Sequence, residues 1–99
     1  MEIVVCTPTY RFWMDGEGGY LYDSDSCELG GRKLTDYVQA LKEFSSEYEL
    51  FCIDNYSGSG ICYDNREECF SGKDGTHPNE NGRQLIAKYM AQELYKKFG

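Results

Sequence analysis

Positive charge is scarce in this sequence. Ten Lys and Arg residues stand against 17 Asp and Glu, leaving a net charge of -7 at neutral pH. Nucleic acids are gripped by clustered Lys and Arg, so a nucleic-acid partner is excluded. Electrostatic docking on an anionic membrane fails for the same reason. Long apolar runs are also missing, and none approaches the roughly 20 residues needed to cross a bilayer. Met1 to Cys6 is apolar but has no basic region before it, so it is not a signal peptide. Either the protein is cytoplasmic or the chain lacks its true N-terminus. No Cys-x-x-Cys pair occurs among the five cysteines, which excludes zinc-ribbon and thioredoxin-type sites. There is one histidine, His77.

What is present is enough for one domain. The 99 residues set that upper limit, and 40% hydrophobic with 15% aromatic content excludes a disordered chain. Cys6 and Cys52 lie inside apolar runs and read as small buried hydrophobes. Cys62 and Cys69 flank one loop, where a disulfide is sterically conceivable but free thiols suit a reducing compartment.

The pattern along the chain is α/β. Glu2–Cys6 is a short β-branched run stopped by Thr7-Pro8, the signature of a buried strand. Residues 11–31 are rich in glycine and read as an excursion containing a small hairpin, Phe12–Met14 against Tyr20–Tyr22. Leu34, Tyr37, Val38, Leu41, Phe44 and Tyr48 then recur at helical spacing. Leu50–Ile53 is a second short strand, and 57–73 is a polar loop. A final helix begins near Asn79, with Leu85, Ile86, Tyr89, Met90, Leu94 and Phe98 as its stripe. Strand, helix and strand in that order predict a parallel pair joined by a right-handed crossover. Two strands cannot cover two long helices, so the chain reads as half of a doubly wound sheet.

The residues with chemical potential cluster in Asp74-Gly75-Thr76-His77-Pro78-Asn79-Glu80-Asn81-Gly82. The block follows the second strand, where open α/β sheets bind ligands. Asp74 is spaced to accept Nδ1–H of His77, leaving Nε2 to take a proton from a hydroxyl. A bare Asp-x-x-His is more often a capped surface turn; the nine-residue context favours the functional reading. Asp64, Glu67 and Glu68 match no common metal template and read as a solvated loop, and no cofactor is expected. Tyr10, Phe12, Trp13, Tyr20 and Tyr22 admit two readings: the lining of an acyl or sugar pocket, or the excursion's own small core.

This block, with Gly82 and Leu85-Ile86-Ala87 after it, resembles the last conserved block of the SGNH (GDSL-type) hydrolases. Ile3 to Pro8 resembles the family strand that ends in Thr-Pro, and Leu34 to Asp54 resembles the next helix–strand unit; residues 11–31 are poorly matched. The resemblance implies a partial flavodoxin-like, three-layer fold, β-(insertion)-α-β-α with parallel strands, spanning 1–99. It also implies ester hydrolysis through serine, with His77 as general base and Asp74 as its orienting carboxylate. The family's Gly-Asp-Ser nucleophile block is missing from the sequence, and so are the oxyanion-hole glycine and asparagine. Asn55, Asn65, Asn79 and Asn81 lie in the wrong blocks to replace that asparagine.

Two expectations follow. The first is the C-terminal part of an esterase or lipase-like acyl hydrolase, whose small ester substrate is turned over only with a serine from outside this chain. Its open strand edge and apolar helix faces then call for self-association or for the missing N-terminal half. The second is a stand-alone, non-catalytic α/β module for binding or assembly.

Overall fold

The computed structural model describes residues 2–14, 20–24, 28–29, 32–71 and 75–99. Strand β1 (Val4–Cys6) pairs in parallel with β6 (Phe51–Ile53), in the register Val4 with Phe51, Val5 with Cys52 and Cys6 with Ile53. Thr7 N–H prolongs the ladder to Ile53 O at 3.0 Å. Parallel neighbours need a long crossover, and the intervening chain supplies it. It contains an antiparallel hairpin, β2 (Phe12–Met14) with β3 (Tyr20–Asp23), and a two-residue ladder, β4 (Glu28–Leu29) with β5 (Arg32–Lys33). The expected hairpin is therefore present, with a register shift between Trp13 and Met14.

Helix α1 (Leu34–Glu47) starts where the Asp36 carboxylate accepts Lys33 N–H at 2.8 Å, an acidic first turn that suits the helix dipole. It ends in a Schellman arrangement: Leu50 N–H reaches Ser45 O at 2.8 Å and Glu49 N–H reaches Ser46 O at 3.2 Å. Glu49 sits at φ +55°, the left-handed position that glycine usually fills. Of the expected α1 stripe only Val38 is buried; Tyr37, Phe44 and Tyr48 are exposed. Phe44 and Tyr48 instead meet each other, ring centroids 4.8 Å apart. The periodicity is right, but a two-strand sheet covers only the inner edge of the stripe.

The segment 57–73, expected to be a loop, is largely built. It holds α2 (Asn55–Gly58), a 3-10 turn (Tyr63–Asn65) and α3 (Arg66–Cys69). Local side-chain bonds replace periodicity here: Asn65 accepts Cys62 N–H at 2.9 Å and donates to Gly60 O at 2.7 Å. The cysteine expectation also needs correction. Cys6 is exposed and Cys52 only partly covered, because the narrow sheet leaves strand surface open. Cys62 and Cys69 are free thiols, Cys69 fully buried; Cys27 lies outside the described residues.

Helix α4 (Glu80–Phe98) runs antiparallel to β6. Phe98 packs edge-on against Phe51 at the start of β6, centroids 6.0 Å apart, and Tyr89 lies over Gly58 just past its end. Its N-terminus therefore projects beyond the carboxyl end of the parallel pair. Along α4 only Gly82 is buried; Leu85, Ile86, Tyr89 and Met90 are half-covered, and Leu94, Tyr95 and Phe98 are exposed. The true core lies at that same end: Tyr10, Phe12, Ile61, Cys69 and Phe70, with Tyr56, Leu85 and Ile86 packed on it. Among the described residues, no helix is long and apolar enough to cross a membrane.

Candidate functional site

Beyond the carboxyl end of β1 and β6 two polar assemblies meet. The first joins the strands themselves. Thr7, 2% exposed, donates its hydroxyl to Asp54 Oδ1 at 2.8 Å and accepts Tyr56 N–H at 3.1 Å. Asp54 also accepts Ser57 N–H at 3.4 Å as cap of α2 and pairs with Lys42 at 3.3 Å. Burial pushes the Asp54 carboxyl up, but the hydrogen bonds from Thr7, Ser57 and Lys42 outweigh it and hold it below its ordinary value. Asp54 is thus a fixed anion that ties both strand ends to α1 and α2.

The second assembly is the loop that carries His77. Gly75 O accepts Phe12 N–H from β2 at 3.1 Å, and Thr76 Oγ1 accepts Arg11 Nη2 at 2.8 Å. Pro78 bridges to Phe70, and Asn79 N–H bonds Cys69 O at 2.8 Å. Asn79 does most of the anchoring. Its Oδ1 caps α4 by accepting Gly82 N–H at 2.9 Å, while its amide donates to Glu68 O at 3.0 Å and Phe70 O at 3.3 Å. Asn81 adds a bond to Glu68 O at 3.1 Å.

The two glycines of the block are steric requirements. A Cβ on Gly75 would collide with the Phe12 carbonyl, and one on Gly82 with Cys69 O. His77 stands exposed between these anchors, in a loop as expected. Asp74 lies outside the described residues, and with it the expected Asp74–His77 hydrogen bond.

Other hydroxyl, thiol and aromatic side chains of the chain fall into structural roles. Tyr10 and Phe12 belong to the core: Phe12 meets Phe70 edge-on at 5.2 Å, and Tyr10 OH donates to buried Asp23 at 2.7 Å. Trp13 is only partly covered and carries the Arg11 guanidinium 4.6 Å from its ring centroid. The side chains of Tyr20 and Tyr22 lie outside the described ones. Ser57 is an exposed residue of α2, and Ser59 is buried with its hydroxyl accepting Ile61 N–H at 3.3 Å. The Cys6 thiol is pushed up by desolvation first and by neighbouring Cys52 second, which makes it a poor nucleophile. Among the described residues, no three His, Cys, Asp or Glu side chains group to hold a metal.

Sequence reasoning missed Arg11, Thr7 and the anchoring by Asn79. An Asn directly before an amphipathic run is a recognised cap signal and could have been read. Thr7 was legible only as the end of the first strand, and Arg11 left no local sign, because both act across dozens of residues.

No protein-family model matches the chain, and no curated protein matches it. Solved structures do. One is 26% identical over 96% of this chain and 43% of its own, with a TM-score of 0.75. A possible lipase from Chitinophaga pinensis DSM 2588 is 17% identical over 96% of this chain and 52% of its own, with a TM-score of 0.66. The chain thus spans about half the length of these two structures and is similar to them in fold, its own being mixed α/β with a parallel two-strand pair.

Proposed function

We propose that the chain is the C-terminal part of a flavodoxin-like SGNH (GDSL-type) hydrolase domain that cleaves small esters. In this reading His77 is the general base, Asp74 orients it, and a serine outside this chain is the nucleophile. The single observation behind the proposal is the anchored 75–79 loop. It presents His77 to solvent beyond the carboxyl end of a parallel strand pair, on elements rigid enough to fix a base. The likeness to a possible lipase twice as long as the matched region supports the hydrolase class. Serine would attack the ester carbonyl while His77 Nε2 accepts its proton; the imidazolium then protonates the departing alkoxide, and water repeats the sequence on the acyl-enzyme. The exposed Tyr37, Phe44 and Tyr48 of α1 and Leu94, Tyr95 and Phe98 of α4 are surfaces for the remaining half of such a domain or for a second copy.

The gene decides. An in-frame Gly-Asp-Ser block upstream of Met1, with ester hydrolysis by the longer protein abolished in His77→Ala, is the expected result. No such block, or turnover indifferent to His77→Ala, refutes the proposal. A non-catalytic binding module draws its own support from one observation: Gly75, Thr76, Asn79 and Gly82 all have structural partners that explain the block without chemistry.

A further inference from the structure

We infer that Arg11 is the specificity-determining residue of the His77 site, and that it selects ester substrates carrying a free carboxylate. The inference rests on the hydrolase reading for its ester half. Three observations carry it. Arg11 reaches the site loop directly, through Nη2 to Thr76, the residue before His77. Among the described residues it has no carboxylate partner, although the chain carries 17 Asp and Glu. Its Nε is shut off from solvent and has no hydrogen-bond acceptor among the described residues.

A guanidinium offers five N–H donors, and here one is used by a side-chain acceptor. The face of the head is covered by the Trp13 ring, whose centroid lies 4.6 Å from Cζ. That stacking holds the planar head in one orientation, and a planar fork matches a carboxylate in two parallel hydrogen bonds. A carboxylate arriving beside His77 meets the outer nitrogens, and Nη1 and Nη2 form the end-on fork with the head held in place. On an acidic protein such a site also works by contrast. The net charge of -7 repels anions at long range, so a cation beside the base favours substrates that bring a carboxylate to it. The ester carbonyl of a short dicarboxylic monoester would then lie within a few bonds of the anchored carboxylate, near the imidazole.

The test uses the purified chain and nitrogen-15 NMR of the Arg11 Nε–H and Trp13 indole N–H. The probes are monomethyl succinate, which has an ester and a carboxylate, and dimethyl succinate, which has two esters and no charge. Both are titrated at ionic strength matched with sodium chloride. Monomethyl succinate is expected to shift both signals saturably and dimethyl succinate to leave them in place. In Arg11→Gln the Trp13 response should weaken about tenfold or vanish. Should Arg11→Gln not fold, Arg11→Lys carries the comparison, since it keeps the charge and loses the fork. Equal responses to both probes, no response to either, or an undiminished Trp13 response in these variants overturns the inference. Because the readout is binding, an inactive chain does not count against it; the hydrolase reading fails separately, through the upstream sequence and the His77→Ala assay.

Discussion

Replacing Thr7 by valine removes one oxygen and keeps the shape. That oxygen serves two groups at once, Asp54 Oδ1 at 2.8 Å and Tyr56 N–H at 3.1 Å, in a residue 2% exposed. A hydrogen bond to a charged acceptor is worth about 1.5–3 kcal/mol, and an amide left unpaired out of water costs about 1–3 kcal/mol. Asp54 keeps Ser57 and Lys42, so the two losses do not add fully, and about 2–4 kcal/mol is expected. For a domain near 100 residues that lowers Tm by roughly 10–20 °C. Thr7→Ser keeps both bonds and loses one buried methyl, about 1 kcal/mol. The acid side gives an independent check. The folded Asp54 pKa lies below its unfolded value, so its contribution is present above the unfolded pKa and is lost as pH falls through the folded one. With Thr7 gone one of the groups holding it down is gone, so stability should fall less between pH 7 and pH 3 in Thr7→Val than in the parent. Calorimetric melting of the three proteins at both pH values measures all of this. A Thr7→Val Tm within 2 °C of the parent (roughly half the shift expected for 1 kcal/mol), or equal losses in valine and serine variants, would refute the reasoning.

Four further outcomes are expected. Asn79→Ala loses the α4 cap and two carbonyl contacts, so chemical denaturation should show a loss of about 2–3 kcal/mol, whereas Asn79→Asp keeps the cap and should lose about half of that. Glu49→Gly relieves the left-handed residue that ends α1 and should raise stability by about 1 kcal/mol; no rise in the urea midpoint would show that Glu49 is unstrained. The chain alone should hydrolyse p-nitrophenyl acetate no faster than its His77→Ala variant, and a covalent serine adduct with His77-dependent turnover would contradict the proposed division of the triad. Sedimentation equilibrium should show association as concentration rises, because α1 and α4 expose aromatic faces; a lone particle of 11.4 kDa throughout would show that these faces tolerate water.

The order of elements was legible because it is written locally. β-branched runs marked β1 and β6, and three- and four-residue spacing marked α1 and α4. The hairpin could be read from Phe12–Met14 and Tyr20–Tyr22 separated by glycines. What spacing cannot say is which side of a stripe is covered: Tyr37 and Phe44 have the same periodicity as Val38, yet only Val38 is buried. Nor could it expose α2 and α3, whose few residues are held by Asp54 and Asn79 through side-chain bonds rather than by an apolar period. The His77 loop was found from its motif. Its anchors at Arg11 and Phe12 were not, since they lie more than 60 residues away in the chain.

That separation has a consequence for how the protein is made. Arg11 and Thr76 are 65 residues apart, and at about 5–20 residues per second of synthesis the first waits roughly 3–13 s for the second. Phe12 waits as long for the Gly75 carbonyl, and Tyr10 for the aromatic cover of Phe70. During that interval the nascent hairpin holds its aromatics without their eventual neighbours, a surface for chaperones or for other nascent chains. Ribosome-held chains ending before residue 70 should therefore bind an apolar dye that chains extended past α4 reject; equal dye binding by both would show that the hairpin shelters its own aromatics from the start.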